Sequence, residues 1–306
     1  MIKADVQHIG NNFKLGEGSS IVCQELIIGN DTTIDHHTQI YCPNGRVVIG
    51  DQCYIGSDST IRLAHFEMGE YTKLHNHALL NGVGSVKIGH NCWIGQNSVL
   101  NGEASLIIGN NVGIGTYSSV WTHGYFGQLV DGCAMFSVKD TIIEDDAWLI
   151  GSYNTVFPGV TIGKQAVLMG TSVVTKSLEP NHIYSGNPAK DITDKLGAPY
   201  RTLNWEEKKT VLIESLVSYF EKYAISYQRN EDQIDVNDMG TIFFRHEALR
   251  DGDVAFVEKL DAQLASSTGS FFCLTNKTYI KTYSPLEILV KKILNPTVAR
   301  FIPAQS

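Results

Sequence analysis

The sequence predicts a mainly β fold: a solenoid of triangular coils followed by a small α+β unit. Three observations predict it. Aliphatic residues, each followed by a small or polar one, recur every six positions in groups of three; eight such groups follow one another through the first two-thirds of the 306 residues; and the pattern then stops and gives way to helical spacing. A six-residue step fits neither the helical period of 3.6 nor the alternation of a hairpin. It fits a short strand plus a sharp turn, with three such sides closing one coil.

In chain order the groups are Ile9, Leu15, Ile21; Ile28, Ile34, Ile40; Ile49, Ile55, Ile61; and Met68, Leu74, Leu80. Then come Ile88, Ile94, Leu100; Ile108, Ile114, Val120; Ile143, Leu149, Val156; and Ile162, Leu168, Val174, with one extra residue between Leu149 and Val156. Each aliphatic residue is expected to point inward and stack on its equivalent in the next coil. The glycines that follow (Gly50, Gly56, Gly89, Gly95, Gly109, Gly115, Gly163) are expected to adopt backbone angles that a β-carbon resists. Small residues four positions on, such as Cys53, Cys92 and Ser98, suit a tight inner corner. Cys53 and Cys92 therefore read as packing residues.

Composition bounds the function. A hydrophobic content of 43% is enough for a buried core, and a formal charge of −8 argues against a nucleic-acid binder, which needs a clustered basic face. The amino-terminal MIKADVQHIGNN has no apolar run of signal-peptide length, and no stretch is long enough to span a bilayer. Six cysteines without a CxxC pair suit a reducing compartment, so the expected location is cytoplasmic.

Residues 9 to 191 resemble the hexapeptide-repeat acyltransferases, and the later motifs resemble their acetyl-CoA-dependent galactoside, maltose and polysaccharide O-acetyltransferase branch. The resemblance implies a left-handed parallel β-helix of about eight coils over residues 1–191, assembled as a homotrimer with active sites between protomers. It also implies roles for particular residues. The hexads break after SVWTHGY, where this family places a general-base histidine, and His123 occupies that position. A neutral imidazole, with a reference pKa of about 6.5, can take a proton from an acceptor hydroxyl as it attacks a thioester. Within the segment IEDDAWLIGSYNTVFPGV, Trp148 matches a tryptophan that packs against the thioester end of coenzyme A. YSGNPAK matches the end of the coenzyme A groove, so Asn187, Pro188 and Lys190, with Gly170, Thr175 and Lys176 before them, are expected cofactor contacts. Asn97 and Asp131 are weaker candidates for acceptor binding, and Asp131 is also a candidate to orient His123. For each residue a structural role competes: a surface turn for His123, a cover over the coil for Trp148, a solenoid exit turn for Gly-Asn-Pro.

Other enzymes of this fold fit less well. A γ-class carbonic anhydrase needs a close H-x4-H pair, whereas His36 and His37 are adjacent and His75 and His77 are two apart, so no metal is expected. The coils begin near residue 9, which leaves no room for a nucleotidyltransferase domain ahead of them. Lipid A acyltransferases lack the Gly-Asn-Pro-Ala-Lys ending and stay a minor alternative, because this chain too has a carboxy-terminal extension.

Residues 192–306 are expected to form the α+β unit, of unassigned role. A helix starts at Asn204, where N-W-E-E resembles a capping box, with Leu212, Leu216, Phe220 and Tyr223 as its apolar face. Strands are expected at TIFFRHE and FFCLTNKTYI, flanking a helix marked by Val257, Leu260 and Leu264. A last helix begins at Ser284-Pro285, with Leu286, Leu289, Ile293 and Leu294 opposite Lys291 and Lys292. Core packing is the default for that helix, with peripheral membrane contact as the alternative. The expected function is acetyl transfer from acetyl-CoA to a hydroxyl of a sugar, polysaccharide or glycoconjugate precursor. The alternatives are N-acetylation of an amino sugar or antibiotic and, in a different class, a non-catalytic trimeric scaffold.

Overall fold

The computed structural model of the protein describes residues 1–125, 127–134, 136–245, 247–260 and 268–304, and the side chains of these except at 125 and 136. The chain divides into two compact units, Met1–Arg201 and Thr202–Ser306.

The first unit is a parallel β-solenoid with three faces. Face I stacks the short strands Lys14–Leu15, Thr33–Ile34, Tyr54–Ile55, Lys73–Leu74, Trp93–Ile94, Gly113–Ile114, Trp148–Leu149, Val167–Leu168 and Ile183–Ser185. Face II carries Thr60–Arg62, Leu79–Asn81, Val99–Asn101, Ser119–Val120, Thr155–Val156 and Val173–Val174. Face III carries His65–Met68, Ser85–Ile88, Leu106–Ile108, Thr141–Ile143 and Thr161–Ile162. In the earlier coils the long strands Ile2–Ile9, Ser20–Ile28 and Gln39–Ile49 pair in parallel, and Gln39–Ile49 pairs onward into both face II and face III.

The hexad residues point inward. From Ile21 to Val174 each is 2% exposed or less, forming one continuous core. Burying each such side chain contributes roughly 1.5–3 kcal/mol relative to leaving it in water. Ile9, in the first coil, is instead 42% exposed, because no earlier coil covers it. The coil count also differs from eight. Leu178 and Tyr184, six apart, continue the inward column into a further partial coil that pairs through Ile183–Ser185.

The glycine expectation needs correction. Gly50 and Gly109 are not among the positive-φ residues. What excludes a side chain there is the next coil: a β-carbon would lie 2.6 Å from the Glu70 nitrogen or the Asp145 Oδ1, respectively. The left-handed corners are occupied instead by residues such as Asn91, Asn97 and Asn111. Asparagine tolerates that conformation better than most residues. Cys53, Cys92 and Ser98 do fill inner corners, each 2% exposed or less. Burial pushes the Cys53 thiol up to about 12, which makes it inert at neutral pH. The six cysteines form no disulfide with one another.

Residues 192–201 stay with the solenoid. The Ile192 N–H donates to the Ile183 carbonyl at 2.8 Å, and the Tyr200 N–H donates to the Asn181 Oδ1 at 3.0 Å.

In the second unit a seven-stranded mixed sheet runs Tyr227–Arg229, Gln233–Val236, Gly240–Phe243, Val254–Val257, Ser270–Cys273, Thr278–Tyr279 and Ile302–Pro303 in neighbour order. The helix Trp205–Lys222 opens on a capping box, with the Glu207 N–H donating to the Asn204 side chain and the Asn204 N–H to the Glu207 carboxylate. Its buried residues are Leu212, Ile213, Leu216 and Phe220, whereas Tyr223 is the exposed C-cap. Val257 ends a strand rather than marking a helix, and Leu264 lies outside the described residues. In the helix Pro285–Leu294, Lys291 is 1% exposed, with its Nζ 3.9 Å from the Tyr279 ring centre. Its polar face is therefore less basic than the sequence suggests. Among the described residues no helix is long and apolar enough to cross a membrane.

Candidate active site

The corner between faces II and III carries the site. On successive coils it is formed by residues 81–84, 101–104 and 121–123, and it recurs after Val156 and after Val174. At the third of these floors the regular turn is replaced by the excursion. It is not irregular throughout: His123–Tyr125 and Phe136–Val138 pair as an antiparallel hairpin, with the turn Leu129–Asp131 between them. The hairpin is anchored at its base. The Lys139 N–H donates to the Thr122 carbonyl at 2.9 Å, and the Thr141 hydroxyl donates to the Trp121 carbonyl at 2.8 Å. The Ser105 N–H on the coil beneath donates to the Asp140 carboxylate at 2.9 Å. The solenoid is thus re-joined without losing register at Leu106↔Thr141.

His123 is the first residue of this hairpin and is half-buried. Its Nδ1 lies 2.8 Å from the Oδ1 of Asn101, one coil earlier on the same corner. The Trp121 indole meets the imidazole edge-on, with ring centres 5.8 Å apart. Thr122, fully buried, places its hydroxyl 2.7 Å from the same Asn101 oxygen. Asn101 is 1% exposed, so this polar cluster sits against the core instead of in bulk water. Sequence reasoning missed Asn101 and Thr122. A signal existed: Asn81-Gly82 and Asn101-Gly102 repeat at the coil spacing immediately below the histidine.

The other candidates distribute over two regions. Thr175 and Lys176, both exposed, directly follow Val173–Val174. They therefore occupy the same corner as His123 two coils on, about 10 Å along the solenoid at the usual strand spacing. The exit hairpin carrying Asn187, Pro188 and Lys190 is stitched to this strand. The Ala189 N–H donates to the Val173 carbonyl at 2.8 Å, and the Val173 N–H donates to the Gly186 carbonyl at 3.0 Å. The Asn187–Pro188 peptide is cis.

Trp148 is elsewhere. It projects from face I, the face opposite this corner, and lies over Gly113, where a β-carbon would stand 2.5 Å from the indole Cζ3. Gly170 and Asn97 belong to the corner between faces I and II, away from His123 on the same chain. Asp131 is exposed on the 3-10 turn. One chain therefore places His123, Thr175 and Lys176 on one corner and Trp148 on face I, which the strands of the exit hairpin extend while its turn packs against Val173. Among the described residues no group of His, Cys, Asp and Glu could hold a metal ion.

The arrangement offers a ring nitrogen held by a buried amide, at the foot of a hairpin. Lys176, exposed further along the same corner, suits a phosphate group as a mobile point charge.

Known proteins place this solenoid in context. Residues 85–116 match the family model described as hexapeptide repeat of succinyl-transferase. A probable macrolide acetyltransferase of Lysinibacillus sphaericus is 55% identical over 53 residues, which is 17% of this chain and 29% of that protein. The galactoside O-acetyltransferase of Escherichia coli is 37% identical over 76 residues, 25% of this chain and 36% of that protein. The chain thus spans about a third of the length of these relatives. Among solved structures, the polySia specific acetyltransferase NeuO aligns over 73% of this chain and 98% of its own, at 18% identity and a TM-score of 0.45. The six-residue recurrence and the coils it builds agree with the match over residues 85–116, and in this part the chain is similar to hexapeptide-repeat acetyltransferases.

Proposed function

We propose that the chain is an acetyl-CoA-dependent O-acetyltransferase that acts on a hydroxyl of a sugar, polysaccharide or glycoconjugate precursor. The observation that carries this reading is the position of His123, held at the base of a long excursion from the coils, on the corner that also bears Thr175 and Lys176. The imidazole takes the acceptor hydroxyl proton while the oxygen attacks the thioester carbonyl. The tetrahedral intermediate then expels the coenzyme A thiolate, which recovers that proton from the imidazolium. Lys176 and Lys190 are assigned to coenzyme A phosphates, Thr175, Gly170 and the Asn187-Pro188 turn to the rest of the groove, and Trp148 to the thioester end. Because His123 and Trp148 stand on opposite sides of one solenoid, this assignment is satisfied when they come from different copies, and a homotrimer with sites between protomers supplies that. Acceptor choice is assigned to the hairpin, including Asp131.

A second reading replaces the glycan by a small antibiotic, favoured by the local identity to the macrolide acetyltransferase. The deciding experiment follows free thiol release from acetyl-CoA with sugar, glycan, macrolide and amino-sugar acceptors, wild type beside His123→Ala. Turnover with a hydroxyl acceptor that falls about 10²–10⁴-fold in the variant is expected from loss of a general base. Absence of turnover together with absence of coenzyme A binding by calorimetry sinks the reading in favour of a scaffold. Turnover that survives His123→Ala undiminished removes the histidine from its role.

A further inference from the structure

We propose that Asn101 is a positioning residue that fixes the tautomer of His123, holding the proton on Nδ1 so that Nε2 carries the lone pair. The inference rests on the catalytic reading of His123 above, but its geometry stands apart from any acceptor. The orientation of the Asn101 amide is set by main-chain groups that have no freedom of role. Its Oδ1 faces the N–H groups of Thr122 and Glu103, each at 3.3 Å, which can only donate. Its Nδ2 lies 3.0 Å from the Asn81 carbonyl, which can only accept. A flipped amide would set two donors against donors and an acceptor against an acceptor, so the oxygen is the atom that meets the imidazole.

The Thr122 hydroxyl agrees with this assignment. It accepts the Ala104 N–H at 3.1 Å, which turns its own proton toward Asn101, 2.7 Å to Oδ1. Of the four groups that meet Oδ1, the Thr122 hydroxyl at 2.7 Å and His123 Nδ1 at 2.8 Å are the nearest. The oxygen has no proton to give, so Nδ1 must carry one. Because Asn101 is 1% exposed and Thr122 fully buried, water does not compete for that oxygen. The Trp121 ring, edge-on to the imidazole, limits rotation about the same bond.

The choice of an amide has a chemical meaning. An aspartate at this place would also hold Nδ1–H, but its charge would stabilise the imidazolium and raise the pH at which the base becomes available. An asparagine orients the ring without adding charge.

The test reads the tautomer directly. Protein labelled with 15N at histidine is recorded at about pH 8, where an unperturbed imidazole is neutral, by long-range 1H–15N correlation. The His123 signals among the ten histidines are identified by their loss in His123→Gln. The expected wild-type pattern is Nδ1–H, and an Nε2–H pattern overturns the proposal whatever the enzyme does. In Asn101→Ala the expected pattern is a mixture of tautomers. In the thiol-release assay its kcat is then expected to fall about a hundredfold, the low end of a general-base contribution, with KM for acetyl-CoA little changed. Asn101→Asp is expected to recover the Nδ1–H form and to move the acid limb of the kcat/KM profile to higher pH. Retention of Nδ1–H and of full kcat in Asn101→Ala also overturns the proposal. If Asn101→Ala does not fold, the wild-type spectrum decides alone. If no acceptor turns over, the proposed function fails while the tautomer is still read.

Discussion

One column of asparagine on this solenoid ends on a carboxylate, and another ends on a histidine. On the corner between faces III and I, the Asn91 Nδ2 donates to the Asn111 Oδ1 at 3.2 Å, and the Asn111 Nδ2 donates to the Asp146 Oδ1 at 2.9 Å. Both asparagines are left-handed, with φ of 56° and 60°, so the column closes tight turns and ends on a carboxylate. On the corner between faces II and III, Asn81 and Asn101 pair in the same register, but the next floor is Thr122 and His123, and the chain leaves the coil. The repeat thus provides one device, an amide stacked beneath the next coil. What stands above it decides whether it holds a turn or aims a side chain.

Substitutions can separate the two uses. The largest expected effect is common to both. Leu100 is fully buried between Leu80 and Val120, and Leu100→Ala should cost about 2–5 kcal/mol in chemical denaturation, as other large-to-small core changes do. A cost under half a kcal/mol would mean that the coils do not depend on their inward column. Next comes Asn111→Ala, which removes both links of the structural column and places alanine at a left-handed φ. It should lower stability by about 1–3 kcal/mol while the specific activity of the folded protein stays at the wild-type value. Activity falling in step with that of Asn101→Ala would erase the distinction between the columns.

Gly113→Ala probes face I itself, where Trp148 lies. Its methyl group displaces the Trp148 indole, and KM for acetyl-CoA should rise roughly threefold to tenfold, corresponding to the ~0.5–1.5 kcal/mol of an aromatic contact. An unchanged KM would return Trp148 to a covering role.

The smallest effect concerns His75, on the same face as Trp148. Its ring lies between those of Tyr54 and Trp93, with ring centres 6.0 and 5.0 Å away, and its Nε2 is buried without a hydrogen-bond partner among the described residues. Burial first, and then Lys73, hold its pKa below the ordinary value. As pH falls below about 6.5, the unfolded chain takes up a proton that the folded ring resists. Stability is therefore lost on acidification through the window beneath that value and is unaffected above it. His75→Phe should show a smaller drop in Tm between pH 7 and pH 5.5 than the wild type. Equal drops would show that the ring protonates freely in the fold.

The coils were legible because each one solves the same packing problem with the same spacing, so the sequence samples the rule many times. Leu178 and Tyr184 escaped notice because the inward residue there is a tyrosine and the turn contains Pro180. The role of Gly50 and Gly109 was misjudged for a different reason: a close approach between coils twenty residues apart leaves no local mark, whereas a backbone angle does. Lys291 and Tyr223 sit in a unit where every contact is made once, and helical spacing there could not tell which lysine enters the core. The same holds at the site. His123 was marked by the end of the count in sixes, but Asn101 was visible only as half of a repeated Asn-Gly, with nothing to say which side chain would stand above it.

The separation of His123 and Trp148 onto opposite sides of one solenoid has a consequence for mixed populations of the protein. On the proposed assembly, a chain damaged at His123 and a chain damaged at Trp148 are each impaired alone, yet a trimer containing both can bring one sound histidine to one sound tryptophan. Two defective alleles would then complement each other in a single cell, and a chain damaged at both places would complement neither.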